Sequence, residues 1–164
     1  FQIMSMIGYY FRADDGMVQQ LKEGSCGDIL FDESNRERLF DVDKAWHAIH
    51  YTLTGGLWGM TGDPASWLVF GGEPVNEEDM GYVPARLMEN DVVKLIADAL
   101  TAWDEAAFRE HFHVADMVEC HVYPVMDDEN EDVFFQYVWE NFEALKKWIR
   151  ETADVGENMI VFLG

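Results

Sequence analysis

Basic residues are scarce in this chain. Eleven Lys and Arg stand against 32 Asp and Glu, leaving a formal charge of −21 at pH 7. A field of that sign repels phosphate backbones and anionic headgroups, and no Lys/Arg-rich stretch is present to overcome it. Nucleic acid and anionic membrane are therefore excluded as expected partners. Cysteine is nearly absent: Cys26 and Cys120 lie far apart, and neither belongs to a CxxC pair, which excludes a zinc knuckle and a thioredoxin-type motif. Two reduced thiols are expected, and with them a cytoplasmic setting. No apolar run approaches the roughly 20 residues of a membrane span, and no signal-peptide pattern opens the sequence.

Apolar residues are plentiful by contrast. They make up 49% of the chain, with six Trp and eleven Phe, far above what a disordered acidic chain carries. At 164 residues the expectation is one folded domain. The leading Phe-Gln-Ile reads as a tag remnant, because Phe-Gln ends a common protease recognition sequence. The domain is accordingly expected over 4–164, with Met4 or Met6 as the natural start.

Periodicity and punctuation place most elements. "MIGYYFRA" (6–13) reads as a buried strand and "DDGMVQQLKEG" (14–24) as a short helix stopped by Gly24. In "DVDKAWHAIHYTLT" (41–54), Val42, Trp46, Ile49 and Leu53 share a helical face, Asp41 is the expected cap and Gly55 the stop. Seven of the thirteen glycines fall between 55 and 81, predicting irregular chain broken by one short element at 65–70. "MGYVPARLM" (80–88) crosses a proline and reads as an extended edge or loop. Helices follow over 89–103 and 104–112, and "VECHVYPV" (118–125) alternates like a strand. From 131 to 153, Phe134, Val138, Phe142, Leu145 and Ile149 mark a long helix, and "NMIVFLG" is a closing strand. Strands at both ends with helices between predict an α/β or borderline α+β domain with a central sheet.

Several of these segments also carry a family pattern. "MSMIGYYFRAD", the string D-x-D-K-x-W-x-x-x-H-x-x-L-T-G at 41–55, "FGGEPVNEEDMGYVPAR" and "HVYP" occur in that order, ahead of a long helix and a terminal apolar strand. Together they resemble the YfbM-like family of bacterial domains of unknown function. The resemblance implies a three-layer α/β/α sandwich around a mixed sheet. It implies no reaction and no catalytic residue.

The chemistry-bearing candidates are few. His47 and His50 lie three apart on one helix, so their side chains share a face. Glu119 and His121, at i and i+2 of the expected strand, share another. Zinc needs three or four such donors, and the spacing is not that of the His-Glu-x-x-His metalloproteases; no metal or cofactor is assigned. The blander expectation is that His50 is half-buried and bonds a loop carbonyl, while His47 faces solvent. "GGLWGMTGD" follows a helix and lacks the Lys-Ser/Thr of a phosphate-binding loop. Cys120 beside His121 suggests a nucleophile, but on a strand the two would point to opposite faces. No G-x-S-x-G elbow is present.

The leading expectation is a non-enzymatic, acidic protein-binding module. Its partner would be a basic protein, and its most concrete form an immunity-type inhibitor of a basic bacterial toxin, since opposite fields steer encounter. Its surface would use Asp127, Asp128, Glu129, Glu131 and Asp132, with Trp139 or Trp148 as anchor and Trp58 and Trp67 as further candidates. The rival expectation is an enzyme or a small-ligand or metal-binding protein. Its site would use His47, His50, Glu119 and His121, between the 47–62 helix end and loop and the 119–123 strand.

Overall fold

The computed structural model describes residues 6–80 and 83–164. The tag remnant expected at residues 1–3 lies outside them. Five strands form one sheet: β1 (Gly8–Ala13), β2 (Leu39–Asp41), β3 (Glu73–Asp79), β4 (Pro84–Met88) and β5 (Asn158–Leu163), in the order β2-β1-β5-β4-β3. Every pairing is antiparallel, so the sheet is not mixed and the fold is α+β. β5 sits at the centre and is buried along its whole length, which is why "MIVFL" after Asn158 is apolar without alternation.

Seven helices cover the two faces. α1 (Asp15–Glu23) and α2 (Cys26–Leu30) pack on the side of Phe11, Ala85, Ile160 and Phe162. The opposite face carries Tyr10, Met88, Met159 and Val161. It is covered by α3 (Trp46–Thr54), α4 (Asn90–Leu100), α5 (Glu105–Glu110), α6 (Val114–Glu119) and α7 (Glu131–Asp154). The result is the expected three layers. Local signals set the helix ends: the carboxylates of Asp14 and Asp104 accept the N–H of Met17 and Ala107, and the Asn130 side-chain oxygen accepts that of Val133. Glu131 and Asp132 occupy the first turn of α7, where negative charge favours the helix dipole. Phe134, Val138, Phe142, Leu145 and Ile149 form its buried stripe. Among the described residues, no helix is long and apolar enough to cross a membrane.

Four segments differ from expectation. The helix predicted from Asp41 starts only at Trp46. Residues 39–41 instead pair with β1, Val42 N–H donates to Gly8 O while Gly8 N–H donates to Asp43 O, and the Asp41 carboxylate caps the Asp43 N–H of a turn. Val42 is buried, but against the sheet rather than on a helix stripe. β4 is an interior strand rather than an edge; Pro84 is tolerated because it is the first residue, opposite the end of edge strand β3. That edge strand falls inside the segment predicted to be irregular. It is reached through Gly71 and Gly72, where any Cβ would press on Trp67 O at 2.5 Å and Leu87 O at 2.8 Å.

The fourth difference is chemical as well. Residues 118–125 are not a strand: α6 runs to Glu119 and closes in a two-bond helix stop. Val122 N–H donates to Met117 O at 2.9 Å and His121 N–H to Val118 O at 3.2 Å. That pairing is a Schellman motif, whose penultimate position is left-handed and usually glycine. Here it is His121, with φ +61°. The alternation of Val118, Cys120 and Val122 comes from this helix end and the buried Val122 that follows it.

Candidate functional site

A cleft of about 490 Å³ opens where the start of α3, the loop behind it and the turn after α6 meet the upper edge of the sheet. Sheet alternation supplies its floor: Arg86 lies in register with Val161 and hence with Tyr10, on the face of the larger core. The Tyr10 hydroxyl donates to Leu68 O at 3.0 Å and Arg86 Nη2 to Val69 O at 2.6 Å. These two bonds tie the chain ahead of Phe70 to the sheet and fix that ring in the cleft wall. On the other side, Met6 N–H donates to the Tyr123 hydroxyl and Trp46 Nε1–H to Met6 O.

His47 is the hub of this arrangement. The start of α3 buries it, and it is 2% exposed rather than facing solvent. Its Nδ1 accepts the N–H of Tyr123 at 2.9 Å, so the proton must sit on Nε2, which donates to Leu57 O at 3.1 Å. The ring lies between two indoles, 5.0 Å from Trp46 and 4.7 Å from Trp58, both near parallel. Burial lowers its pKa, and the Leu57 carbonyl opposes that in part. With both nitrogens occupied, His47 is a neutral clamp joining α3, the glycine-rich loop and the turn at 121–123. It holds no proton in reserve for acid–base work.

The remaining histidines divide. His50 is also buried, edge-on to Phe70 at 4.6 Å, with Nε2 lacking any hydrogen-bond partner. Its pKa is pushed down to about 4, first by burial, then by His47, against the pull of the Gly59 carbonyl. It lies behind Phe70 and does not line the cleft. His121 does line it, exposed at the rim. Glu119, the last residue of α6, is exposed and lies outside the lining. Thus the two predicted segments do meet, but through His47, Tyr123 and His121 rather than through four converging ligands. Among the described residues, no group of three or more His, Cys, Asp or Glu is placed to hold a metal ion.

Other candidates resolve as follows. Trp139, expected as an interface anchor, is 6% exposed and packs into the core beside Phe108, Phe135 and Phe142. Asp127, Asp128, Glu131 and Asp132 are exposed and Glu129 is intermediate; Asp132 pairs with Arg109. Cys120 caps α6 and faces the Tyr51 hydroxyl at 3.6 Å, and both cysteines are free thiols. Tyr51 is pushed up to about 12, chiefly by that contact.

Sequence reasoning passed over Arg86, Phe70 and Tyr123. The signal for Arg86 was present in "PARLM": if Ala85 and Leu87 face one layer, Arg86 must share the other face with Met88. Trp58 was expected only as a further interface candidate beside Trp67. In the fold it is 61% exposed, stacked on His47 and tilted against Phe70 at 5.5 Å.

The model of a domain of unknown function, DUF1877, matches residues 4–162 of the chain. Protein YfbM of Escherichia coli (strain K12) is 26% identical over 167 residues, spanning 98% of this chain and 99% of that protein. A crystal structure described as a protein of unknown function, YfbM from Escherichia coli, superposes with a TM-score of 0.76. The match has 26% identity, and it covers 96% of this chain and 99% of that one. The chain therefore belongs to the DUF1877 family, within which it is YfbM-like in sequence and in fold.

Proposed function

We propose that the protein binds a small molecule with a flat apolar ring in the cleft beside α3. The observation that carries this reading is Trp58. A large exposed indole stacks on a buried, fully bonded imidazole, facing a cleft whose other walls are Phe70, Trp46 and Tyr123. Apolar concave sites with a few fixed polar groups are where small ligands bind. Stacked aromatic pairs gain about 0.5–1.5 kcal/mol beyond their buried area, and a flat ligand would extend the existing stack. The protein-docking reading, for its part, loses Trp139 as its anchor.

Indole is a suitable neutral probe, followed by ligand-observed NMR. Saturable binding is expected, weakened at least tenfold in Trp58→Ala, with cyclohexanol of similar bulk failing to compete. Absence of saturable binding, or binding indifferent to Trp58→Ala, would contradict the reading.

A further inference from the structure

Arg86 is out of place in this molecule unless something anionic meets it. Arg12, Arg36, Arg38, Arg109 and Arg150 each reach a carboxylate within ion-pair distance. With 32 acids in the chain, a carboxylate partner is easily found. Yet Arg86, a largely buried guanidinium, reaches no carboxylate among the described residues. Its Nη2 holds Val69 O, its Nε is buried without a partner, and its carbon lies 5.9 Å from the Phe70 ring centre. Burial also depresses its pKa. A cation withdrawn from water costs stability unless a counter-charge is supplied, and a guanidinium matches a carboxylate in shape as well as charge. Arg86 lies on the wall of the cleft, so a ligand can supply that charge.

His121 is the second oddity at the same cleft. It holds the left-handed position of the α6 stop, where glycine costs nothing and a side chain is strained. It is exposed, and no described hydrogen bond of its side chain repays that strain. Backbone strain of this kind, retained beside a cleft, is characteristic of ligand sites. The imidazole is a further N–H donor at the rim.

We infer that the ligand carries a carboxylate on its flat ring, held between Arg86 at the wall and His121 at the rim while the ring stacks on Trp58. This rests on the cleft being the ligand site. The overall charge of −21 opposes an approaching anion, but surface charges beyond about 8 Å are screened at physiological salt. Contact with a half-desolvated guanidinium is screened far less.

Three probes sharing one ring separate the possibilities: indole, indole-3-carboxylate and tryptamine, titrated calorimetrically at fixed salt. Indole-3-carboxylate is expected to bind at least tenfold tighter than indole, with tryptamine no tighter than indole. In Arg86→Met that preference, read as the ratio of the two affinities within the variant, should fall to about one. Arg86→Lys should give an intermediate value, because it keeps charge but loses the planar fork. His121→Gly should relieve the helix stop, raising the melting temperature, and still cut the carboxylate preference several-fold. That pairing of a more stable protein with a weaker carboxylate complex is not produced by a purely structural residue. If Arg86→Met unfolds, His121→Gly and Arg86→Lys carry the test. Should indole bind while the carboxylate binds no tighter, or should the preference survive in His121→Gly and Arg86→Lys, the carboxylate inference is overturned and the cleft reading stands. Should none of the three probes bind, both fall.

Discussion

Two aromatic clusters lie on the same side of the sheet, and they have opposite characters. Under α7, Phe108, Phe112, Phe134, Phe135, Trp139 and Phe142 pack ring on ring, all nearly or fully buried. The only charged atoms near them come from outside, such as the Arg109 guanidinium lying 4.3 Å from the centre of Phe135 and Lys146 Nζ beside Trp139. Beside α3, the cluster of Trp46, Trp58, Phe70 and Tyr123 is interleaved with His47, His50 and Arg86 and opens to solvent through Trp58. The first cluster lowers free energy by excluding water, and among the described residues it holds none of the buried side-chain nitrogens and oxygens left without a partner. The second spends aromatic surface on holding polar groups in place and leaves two of their nitrogens, His50 Nε2 and Arg86 Nε, without partners. Stability alone does not call for that arrangement.

The contrast can be broken most forcefully in the first cluster. Phe142→Ala empties a fully buried site and is expected to cost about 3–5 kcal/mol, measured by urea unfolding, with the indole affinity of the folded fraction unchanged. Next in size is His47→Phe, which keeps the stack but strands the Tyr123 N–H and the Leu57 carbonyl. The expected loss is about 2–4 kcal/mol for two unmet groups, accompanied by faster amide exchange in the loop at 55–63. A loss no larger than that of a surface substitution would remove His47 as the clamp.

His50 sharpens the comparison through pH. Its folded pKa is pushed down to about 4, while the unfolded chain titrates near the ordinary 6.5. Between those values the unfolded state holds the proton more strongly, so the native state loses stability as pH falls from 6.5 towards 4. His47 shifts in the same direction. Relative to wild type, His50→Gln should therefore gain stability progressively over that interval, as read from urea midpoints at pH 7, 5.5 and 4.5. A difference independent of pH would mean that His50 is not held neutral. The smallest expected stability change is that of Trp58→Ala, about 1 kcal/mol or less because most of the ring is already in water. Its effect on indole binding should be the largest of the set.

The layers of the fold were legible because their signals are local. Asp14, Asp104 and Asn130 cap helices, the α7 stripe repeats at 3.6 residues, and β5 is apolar after Asn158. What escaped was set by distant partners. β3 is an edge strand with a mostly solvated composition, so "EPVNEED" has the look of a loop until β4 pairs with it. The stop after α6 uses a histidine where glycine usually announces the turn, so alternation alone suggested a strand. At the site, the histidine segments were recognisable and a meeting with 119–123 was expected; in the fold His47 bonds Tyr123 and shares the cleft with His121, while His50 and Glu119 do not line it. Their roles were not recognisable, because whether His47 faces water or two backbone groups depends on Leu57 and Tyr123, 10 and 76 residues away. Arg86 gave no motif; its significance is that it meets no carboxylate among the described residues, which only the fold displays.

The central claim is that the α3 cluster is a ligand site and the α7 cluster is not. It is tested most directly by titrating isotope-labelled protein with indole-3-carboxylate and following the six tryptophan indole N–H signals together with the backbone amides. The account predicts saturable shifts at the Trp58 indole and at the amides of Arg86, His121 and Tyr123, with the Trp139 indole unmoved. No shifts, or shifts centred on Trp139 and the α5–α7 contact, would contradict it.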